Sequence, residues 1–245
     1  MKQQNIWNIK LLFIIVLIPV LAACGDDNEN NSTNNGGITP IDNNSFYLDG
    51  IRYNIISDGL TVSGWDRNNF KGNAKIPSTI RYNNNSYEVI TINTAAFLDC
   101  LTLTSIEIPS SVKIIEMDAF GRCKNLKSVV FSEGVMVIRF AAFAECTSLT
   151  SIVLPNSVIR LEESVFESCR ALESITLGKS LTTIQRFVFQ NCYALKYVHC
   201  LSEKPFYIDS SDIIPKGITL YVPKGCLEAY TNSLWVLYFE KILEE

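Results

Sequence analysis

Apolar residues recur with a fixed period of 23 positions over the middle of the chain. Each period contains a phenylalanine, a cysteine three positions later, and four further columns that stay apolar. Because no unit carries an insertion, each should be one supersecondary element that buries its apolar face by stacking on its neighbours. The pattern therefore predicts a repeat solenoid. Its markers are Phe97, Phe120, Phe143, Phe166 and Phe189, with Cys100, Cys123, Cys146, Cys169 and Cys192.

The spacing inside one unit predicts its local structure. Phe97, Cys100 and Leu103 are three positions apart, which places them on one side of a short helical or 3₁₀ turn. The unit then ends as Leu-x-x-Ile-x-Ile, whose last step alternates as in a strand. One turn and one strand per unit predict a β-rich leucine-rich-repeat solenoid of about five repeats over residues 90–201.

The repeat motif also resembles a known family. The pattern Ala-Phe-x-x-Cys-x-x-Leu-x-x-Ile-x-Ile-Pro occurs at 96–109 and again at 142–155, and it is similar to the BspA-like leucine-rich repeats of bacterial surface proteins. The resemblance implies a binding scaffold that adheres to host extracellular-matrix or cell-surface proteins, of which fibronectin and fibrinogen are examples. The chain departs from the family where a glycine often follows the isoleucine, as at Asn93 and Arg139, which loosens the turn assignment there.

The segments on either side of the repeats are predicted to be caps, since an open solenoid exposes strand edges and an apolar cross-section. Residues 45–89 should form an N-terminal β-hairpin cap with a tight turn at Asp49-Gly50. Nine residues within it, 81–89, are predicted as an inserted hairpin. Residues 202–245 should form a C-terminal strand and helix cap.

Two features predict the structure of the C-terminal cap. The strand pattern of the repeats returns at Leu220-Tyr221-Val222-Pro223. Apolar residues from 227 to 243 then predict an amphipathic helix, with Trp235 as a plug for the end of the solenoid.

The N-terminus reads as an export signal. Lys2 and Lys10 precede an apolar stretch too short to span a membrane, so residues 1–23 are predicted to be a signal peptide. Its end, Leu-Ala-Ala-Cys, resembles a bacterial lipobox and implies lipidation of Cys24; an ordinary signal followed by a chance cysteine is the alternative. The polar segment 24–44 is predicted to be a flexible tether. Asp26-Asp27 resembles the signal that exports Bacteroidetes lipoproteins, so the expected location is the outer membrane, at the cell surface.

Charge and cysteine spacing exclude several classes of function. Without residues 1–23 the chain has 19 basic and 25 acidic residues, so nucleic acid is not an expected partner and the membrane is contacted only through the lipid. Cysteines stacked in a row cannot converge on one zinc ion, and buried apolar thiols are the simpler interpretation. A bridge between Cys200 and Cys226 stays open. We find no catalytic or phosphate-binding motif, and expect no enzyme, metal or cofactor.

Candidate contact residues are the outward positions of the predicted strands. They are polar, mixed in charge and too dispersed for catalysis, which suits hydrogen bonding to proteins or glycans with a few aromatic anchors. A merely solvated face is the alternative for each residue. The alternatives for the chain are a carbohydrate-binding accessory of a surface uptake system and a structural envelope lipoprotein without an external ligand. The candidates are Thr104, Glu107, Lys127, Val130, Thr150, Val153, Glu173, Thr176, Lys196, Tyr197 and His199.

Aromatic residues of the N-terminal cap form a second candidate surface, with a role in covering the solenoid end as the favoured alternative. They are Tyr47, Tyr53, Trp65, Tyr82 and Tyr87.

Overall fold

Seven strands precede the first repeat turn in the computed structural model, which describes residues 37–209 and 215–245. The predicted signal peptide and Cys24 lie outside those residues. The seven strands are β1 (Ile38–Asp42), β2 (Ser45–Leu48), β3 (Ile51–Ile56), β4 (Gly59–Trp65), β5 (Asn73–Lys75), β6 (Thr79–Tyr82) and β7 (Asn85–Ile92). β1 to β4 form an antiparallel meander, and β6 and β7 form a hairpin. The turn predicted at Asp49-Gly50 is confirmed, because both residues have positive φ, and the predicted inserted hairpin turns at Asn83 and Asn84, which also have positive φ.

The prediction of a tether over residues 24–44 is wrong at its C-terminal end. Ile38–Asp42 is a strand whose backbone pairs with β2. Its side chains are mostly exposed, so main-chain hydrogen bonds form this strand and apolar burial contributes little. A pattern based on apolar residues could not detect it.

Each repeat contributes two parallel strands, whereas the sequence predicted one. Longer and shorter strands alternate along the chain and stack into separate sheets. The short strands were missed because two residues are too few to show an alternating pattern. The strands are β8 (Ser105–Ile108), β9 (Ile114–Ile115), β10 (Ser128–Phe131), β11 (Val137–Ile138), β12 (Ser151–Val153), β13 (Arg160–Leu161), β14 (Ser174–Leu177), β15 (Thr183–Ile184), β16 (Tyr197–Cys200) and β17 (Tyr207–Ile208).

The segment around each phenylalanine is a double turn and not the predicted helical or 3₁₀ turn. The residues two before and two after Phe97, Ala95 and Asp99, have φ of 56° and 55°. These left-handed residues turn alternate N–H groups toward the next coil, so Phe97 N–H donates to the Ala119 carbonyl at 2.7 Å. Main-chain hydrogen bonds thus link the coils through the turns as well as through the strands.

The predicted phenylalanine ladder is confirmed as the core. Its five rings are at most 1% exposed, and neighbouring rings stack nearly parallel with centroids 4.9–6.2 Å apart. Phe70 of the cap extends the row, with its ring 6.0 Å from Phe97. Burial of this continuous aromatic and aliphatic column is what stacks the repeats.

The C-terminal cap begins with strand β18 (Thr219–Val222), as predicted, but the long amphipathic helix is wrong. The segment forms helix α1 (Leu227–Thr231), a 3₁₀ turn (Leu234–Leu237) and strand β19 (Lys241–Glu244). β19 pairs with β18, so its backbone groups satisfy an otherwise open sheet edge. Trp235 is confirmed as a plug: it is 2% exposed.

The longer strands form two sheets, because no ladder joins β10 to β12 among the described residues. Phe131 ends β10, where other repeats have smaller residues, and its ring packs edge-on against Phe143. The turn after β10 is hydrogen-bonded to the turn after β12. The Glu133 carboxylate accepts hydrogen bonds from the Asn156 and Ser157 N–H groups at 3.0 and 2.9 Å.

Candidate binding surface

The longer strands present a ladder of outward side chains, which we call the strand face. In β8, Ile106 and Ile108 point into the core while Glu107 points outward. Register places Val130 beside Glu107, and Thr176 beside His199. At the centre of the face Val130 and Val153 are 57% and 62% exposed, so an apolar strip lies between polar ends.

Most candidate residues are accessible on this face, although their environments differ. Thr104, Thr176 and His199 are half-buried, and the Thr104 hydroxyl donates to Asn73 Oδ1 at 2.6 Å. Lys196 forms an ion pair with Glu173. The remaining candidates are exposed: Glu107, Lys127, Val130, Thr150, Val153 and Tyr197.

The C-terminal end of the strand face carries an aromatic cluster. The rings of His199 and Tyr221 stack with centroids 4.9 Å apart, and Tyr197 lies 6.2 Å from Tyr221. His199 Nδ1 lies 2.9 Å from both carboxylate oxygens of Glu245; since a carboxylate only accepts, Nδ1 carries the proton. These contacts fix the imidazole plane and leave a preorganised aromatic anchor.

Tyr221 and Glu245 were missed as candidates. The strand pattern at 220–223 contained the necessary signal, because in the register of the repeats Tyr221 falls next to His199. Nothing in the local sequence connects Glu245 to the histidine, since the pairing of β19 with β18 brings it there.

The aromatic residues of the N-terminal cap mainly cover the solenoid end. Tyr53 and Tyr82 are buried against Phe46, with ring centroids 5.7 and 4.4 Å away. Trp65 and Tyr87 are half-buried against the core. The favoured interpretation from the sequence is thus correct for Tyr53 and Tyr82.

A polar cleft of about 550 Å³ lies within this cap, beside the edge of β5. Tyr47, Asp49, Asp66 and Lys71 line it. The Asn69 amide and the Asn68 N–H donate to Asp66, which lowers the pKa of its carboxyl. The cleft therefore offers charged and amide groups beside one aromatic ring.

The cysteine row has a structural role. From the second repeat onward each thiol donates to the carbonyl oxygen of the phenylalanine one coil earlier, as Cys123 does to Phe97 at 3.0 Å. Burial raises the pKa of these thiols, to about 12 for Cys192. Cys200 and Cys226 are free thiols, so the bridge left open by the sequence is not formed.

No group of three or more potential ligand side chains is placed to hold a metal ion in the part of the chain that the structure describes. Within the same residues, no helix is long and apolar enough to cross a membrane.

Stacked coils joined by parallel strands, a continuous buried core and a face of outward side chains define a leucine-rich-repeat solenoid. The family model for the BspA type leucine rich repeat region matches residues 90–210 with six copies. The repeat region of this chain belongs to that family. No curated protein matches the chain.

The chain is similar to solved structures of bacterial leucine-rich-repeat proteins. The T. pallidum leucine rich repeat protein is 27% identical, covers 80% of this chain and 83% of its own, and has a TM-score of 0.61. A leucine-rich repeat protein from Bacteroides capillosus is also 27% identical over 54% of this chain and 96% of its own, with a TM-score of 0.48. A leucine rich cell surface protein from Faecalibacterium prausnitzii is 20% identical over 80% and 54%, with a TM-score of 0.48.

Proposed function

We propose that the chain is a non-enzymatic, lipid-anchored scaffold at the cell surface, which adheres to host matrix or cell-surface proteins through its strand face. The observation that carries the proposal is the apolar strip of Val130 and Val153, followed along the strand face by the Tyr197, His199 and Tyr221 cluster. An apolar centre with aromatic anchors and a polar surround is the usual composition of a protein-binding patch.

Membership of the repeat family supports a binding scaffold but does not identify the partner. Repeat solenoids use their invariant residues for stacking and their variable outward residues for contacts. The strand face follows that division, because Val130, Thr176 and His199 occupy one column while the buried columns stay apolar. Function is argued from these outward residues, since the fold alone does not specify it.

The partner class can be tested with a panel of purified matrix proteins and glycans. We expect saturable binding of the repeat protein to at least one host protein, and loss of that binding on substitution of Tyr197 and Tyr221 by serine. Absence of saturable binding to every protein on the panel would contradict adhesion.

Glycan capture for a surface uptake system is the second candidate, and the N-terminal cleft is the observation that favours it. Asp49, Asp66 and Tyr47 combine hydrogen-bonding groups with an aromatic platform in a cleft of about 550 Å³. Glycan binding that is lost on Asp49→Ala, with no protein binding, would favour this candidate over adhesion.

The anchor and the location need their own test. Cys24→Ser should release the protein from the membrane fraction, because the acyl chains supply the membrane affinity. Brief protease treatment of intact cells should remove the wild-type protein. Protection from protease would instead favour a structural envelope protein.

A further inference from the structure

We propose that the N-terminal cleft binds an extended peptide segment of a partner protein, which adds as a strand to the open edge of β5. Main-chain hydrogen bonds make this contact, as in other cases where a peptide extends a sheet. Adhesion through the strand face does not use the cleft, so the inference goes beyond the proposed function and does not rest on it.

Alternate residues of the β5 segment are hydrogen-bonded to β8, the only strand that pairs with β5 among the described residues. The Gly72 carbonyl accepts from the Thr104 N–H at 2.7 Å. Four residues further on, the Ile76 N–H donates to the Glu107 carbonyl at 3.1 Å. These two bonds fix which side of β5 each residue uses, because successive residues of a strand direct their main-chain groups to opposite sides.

The other edge of β5 carries main-chain groups that the protein leaves unused. By the same alternation, the N–H and C=O groups of Asn73 and Lys75 point away from β8. None of these four groups has a main-chain hydrogen-bond partner within residues 37–209 and 215–245. The edge therefore presents two donors and two acceptors at the spacing of a strand.

The cleft lies where a further strand of this sheet would be. The sheet of short strands continues past the first repeat through β4, β3, β2 and β1, whereas the sheet that contains β8 ends at β5. Thr39 of β1, Tyr47 of β2 and Gly50 of the following turn line the cleft together with the residues of β5. Its volume of about 550 Å³ is in the range of sites that enclose a ligand, so a short strand can enter beside β5.

The edge of β1, at the end of the sheet of short strands, is by contrast protected against strand addition. Pro40 has no N–H to donate, and the pairing of β1 is irregular between Pro40 and Asp42. Proline and bulges are devices that prevent strand addition at edges. β5 contains neither, and its Lys75 side chain forms an ion pair with Glu107 of β8 at 3.3 Å, on the side away from the open edge.

The groups at the β5 edge favour a polypeptide as the occupant. Donors and acceptors that alternate at strand spacing match another extended main chain, in which N–H and C=O groups recur at the same spacing. Tyr47, Asp49 and Lys71 also line the cleft, and they offer an aromatic ring and charges of both signs to the side chains of the peptide. These side chains set the sequence preference, while the main chain supplies the binding mode.

A phage-displayed library of random peptides about seven residues long supplies the probe, selected on residues 35–245, the compact unit that contains the cleft. We expect at least one selected peptide, synthesised in free form, to bind with a Kd of about 0.1 mM or tighter. At a peptide concentration of about ten times Kd, hydrogen exchange measured by NMR should slow about tenfold at the Asn73 and Lys75 amides. The Ala74 and Ile76 amides, which are bonded to β8 in both states, should change little.

One pair of variants separates the main chain of β5 from its side chains. Lys75→Pro removes an N–H at the open edge and no bond to β8, so it should weaken peptide binding about tenfold or more. Lys75→Ala keeps the main chain and should bind within about threefold of wild type. The strand-face variant with Val130→Asp and Val153→Asp should also bind the peptide normally, which keeps this test separate from that of adhesion.

The peptide provides a test that leaves the fold of the protein untouched. N-methylation at successive positions of the peptide should alternate between a strong and a weak effect on affinity, because only alternate N–H groups of an added strand face β5. Equal effects at all positions would overturn the proposal, and so would equal binding by Lys75→Pro and Lys75→Ala. Absence of any peptide with a Kd below about 1 mM would overturn it as well, and glycan binding in the cleft would then favour the second candidate function.

Discussion

The thiol of Cys123 donates to the carbonyl oxygen of Phe97 at 3.0 Å, across the boundary between two repeats. The same contact recurs at three further boundaries, so the cysteine row joins neighbouring coils and carries no reactive chemistry. Burial raises the pKa of the thiols, which keeps them protonated and able to donate.

Removal of one such thiol should destabilise the solenoid. Cys146→Ala loses the bond to the Phe120 carbonyl and opens a small void, and we expect a loss of about 1–2 kcal/mol in the free energy of unfolding by denaturant titration. Cys226→Ala, at a half-exposed thiol outside the row, should change it by less than about 0.5 kcal/mol. Equal effects would contradict a role in joining the coils.

Thiol labelling gives an independent check of the same assignment. In residues 35–245, a water-soluble thiol reagent should modify Cys226 within the folded protein and reach the six buried cysteines only after unfolding. The number of thiols modified before and after denaturation is the measurement. A bridge between Cys200 and Cys226 would appear as two missing thiols.

The aromatic ladder makes the largest single-residue prediction. Phe143→Ala should cost about 3–5 kcal/mol, because its ring is fully buried between Phe120 and Phe166. Phe140→Ala, three positions earlier and 40% exposed, should cost less than about 1 kcal/mol. Chemical denaturation of both variants compares a buried aromatic residue with a partly exposed one in the same repeat.

The left-handed conformation of the turn residues predicts which substitutions stabilise the protein and which destabilise it. Glu145 is exposed and has φ of 57°. Asparagine tolerates this conformation and valine does not, so Glu145→Asn should stabilise the protein by about 0.5 kcal/mol and Glu145→Val should destabilise it by about 1–2 kcal/mol. At Ser151, an exposed strand position, valine should instead be the better residue. If asparagine and valine ranked in the same order of stability at positions 145 and 151, the left-handed geometry of Glu145 would be contradicted.

The stabilisation that Glu133 supplies should depend on pH. Its carboxylate accepts hydrogen bonds from the turn after β12, across the gap between the two sheets of longer strands. Burial opposes ionisation of Glu133, but hydrogen bonds from the Asn156 and Ser157 N–H groups outweigh it and lower its pKa below the usual 4.5. Its contribution to stability is therefore present above that pH and is lost as pH falls through the folded-state pKa. The difference in Tm between wild type and Glu133→Gln should shrink on acidification below pH 4.5; a constant difference would contradict a role for the charge.

The fixed 23-residue period was enough to predict the buried row of phenylalanine rings, because Phe143 and its counterparts recur at one spacing and are all buried. The double turns escaped prediction, since Ala95 and Ser164 have no sequence preference for positive φ and are held by hydrogen bonds to the next coil. At the C-terminus, apolar spacing suggested a helix where pairing with β18 makes Lys241–Glu244 a strand.

The candidate surface was predicted only in part, for a similar reason. Val130, Tyr197 and His199 follow from alternation in the strands. Tyr221 and Glu245 reach the histidine through stacking of the C-terminal cap, and the N-terminal cleft arises where two elements distant in sequence meet. Contacts made by tertiary packing leave no local signal.

Binding by a variant with both Val130 and Val153 replaced by aspartate tests the central claim most directly. Both side chains are more than half exposed, so the fold should be unaffected while the strand face loses its apolar centre. Against the host protein that binds the wild type, we predict a loss of affinity of at least about tenfold, with Leu101→Asp, an exposed residue outside the strand face, binding normally. Unchanged affinity of the double variant would contradict the assignment of the strand face as the binding surface.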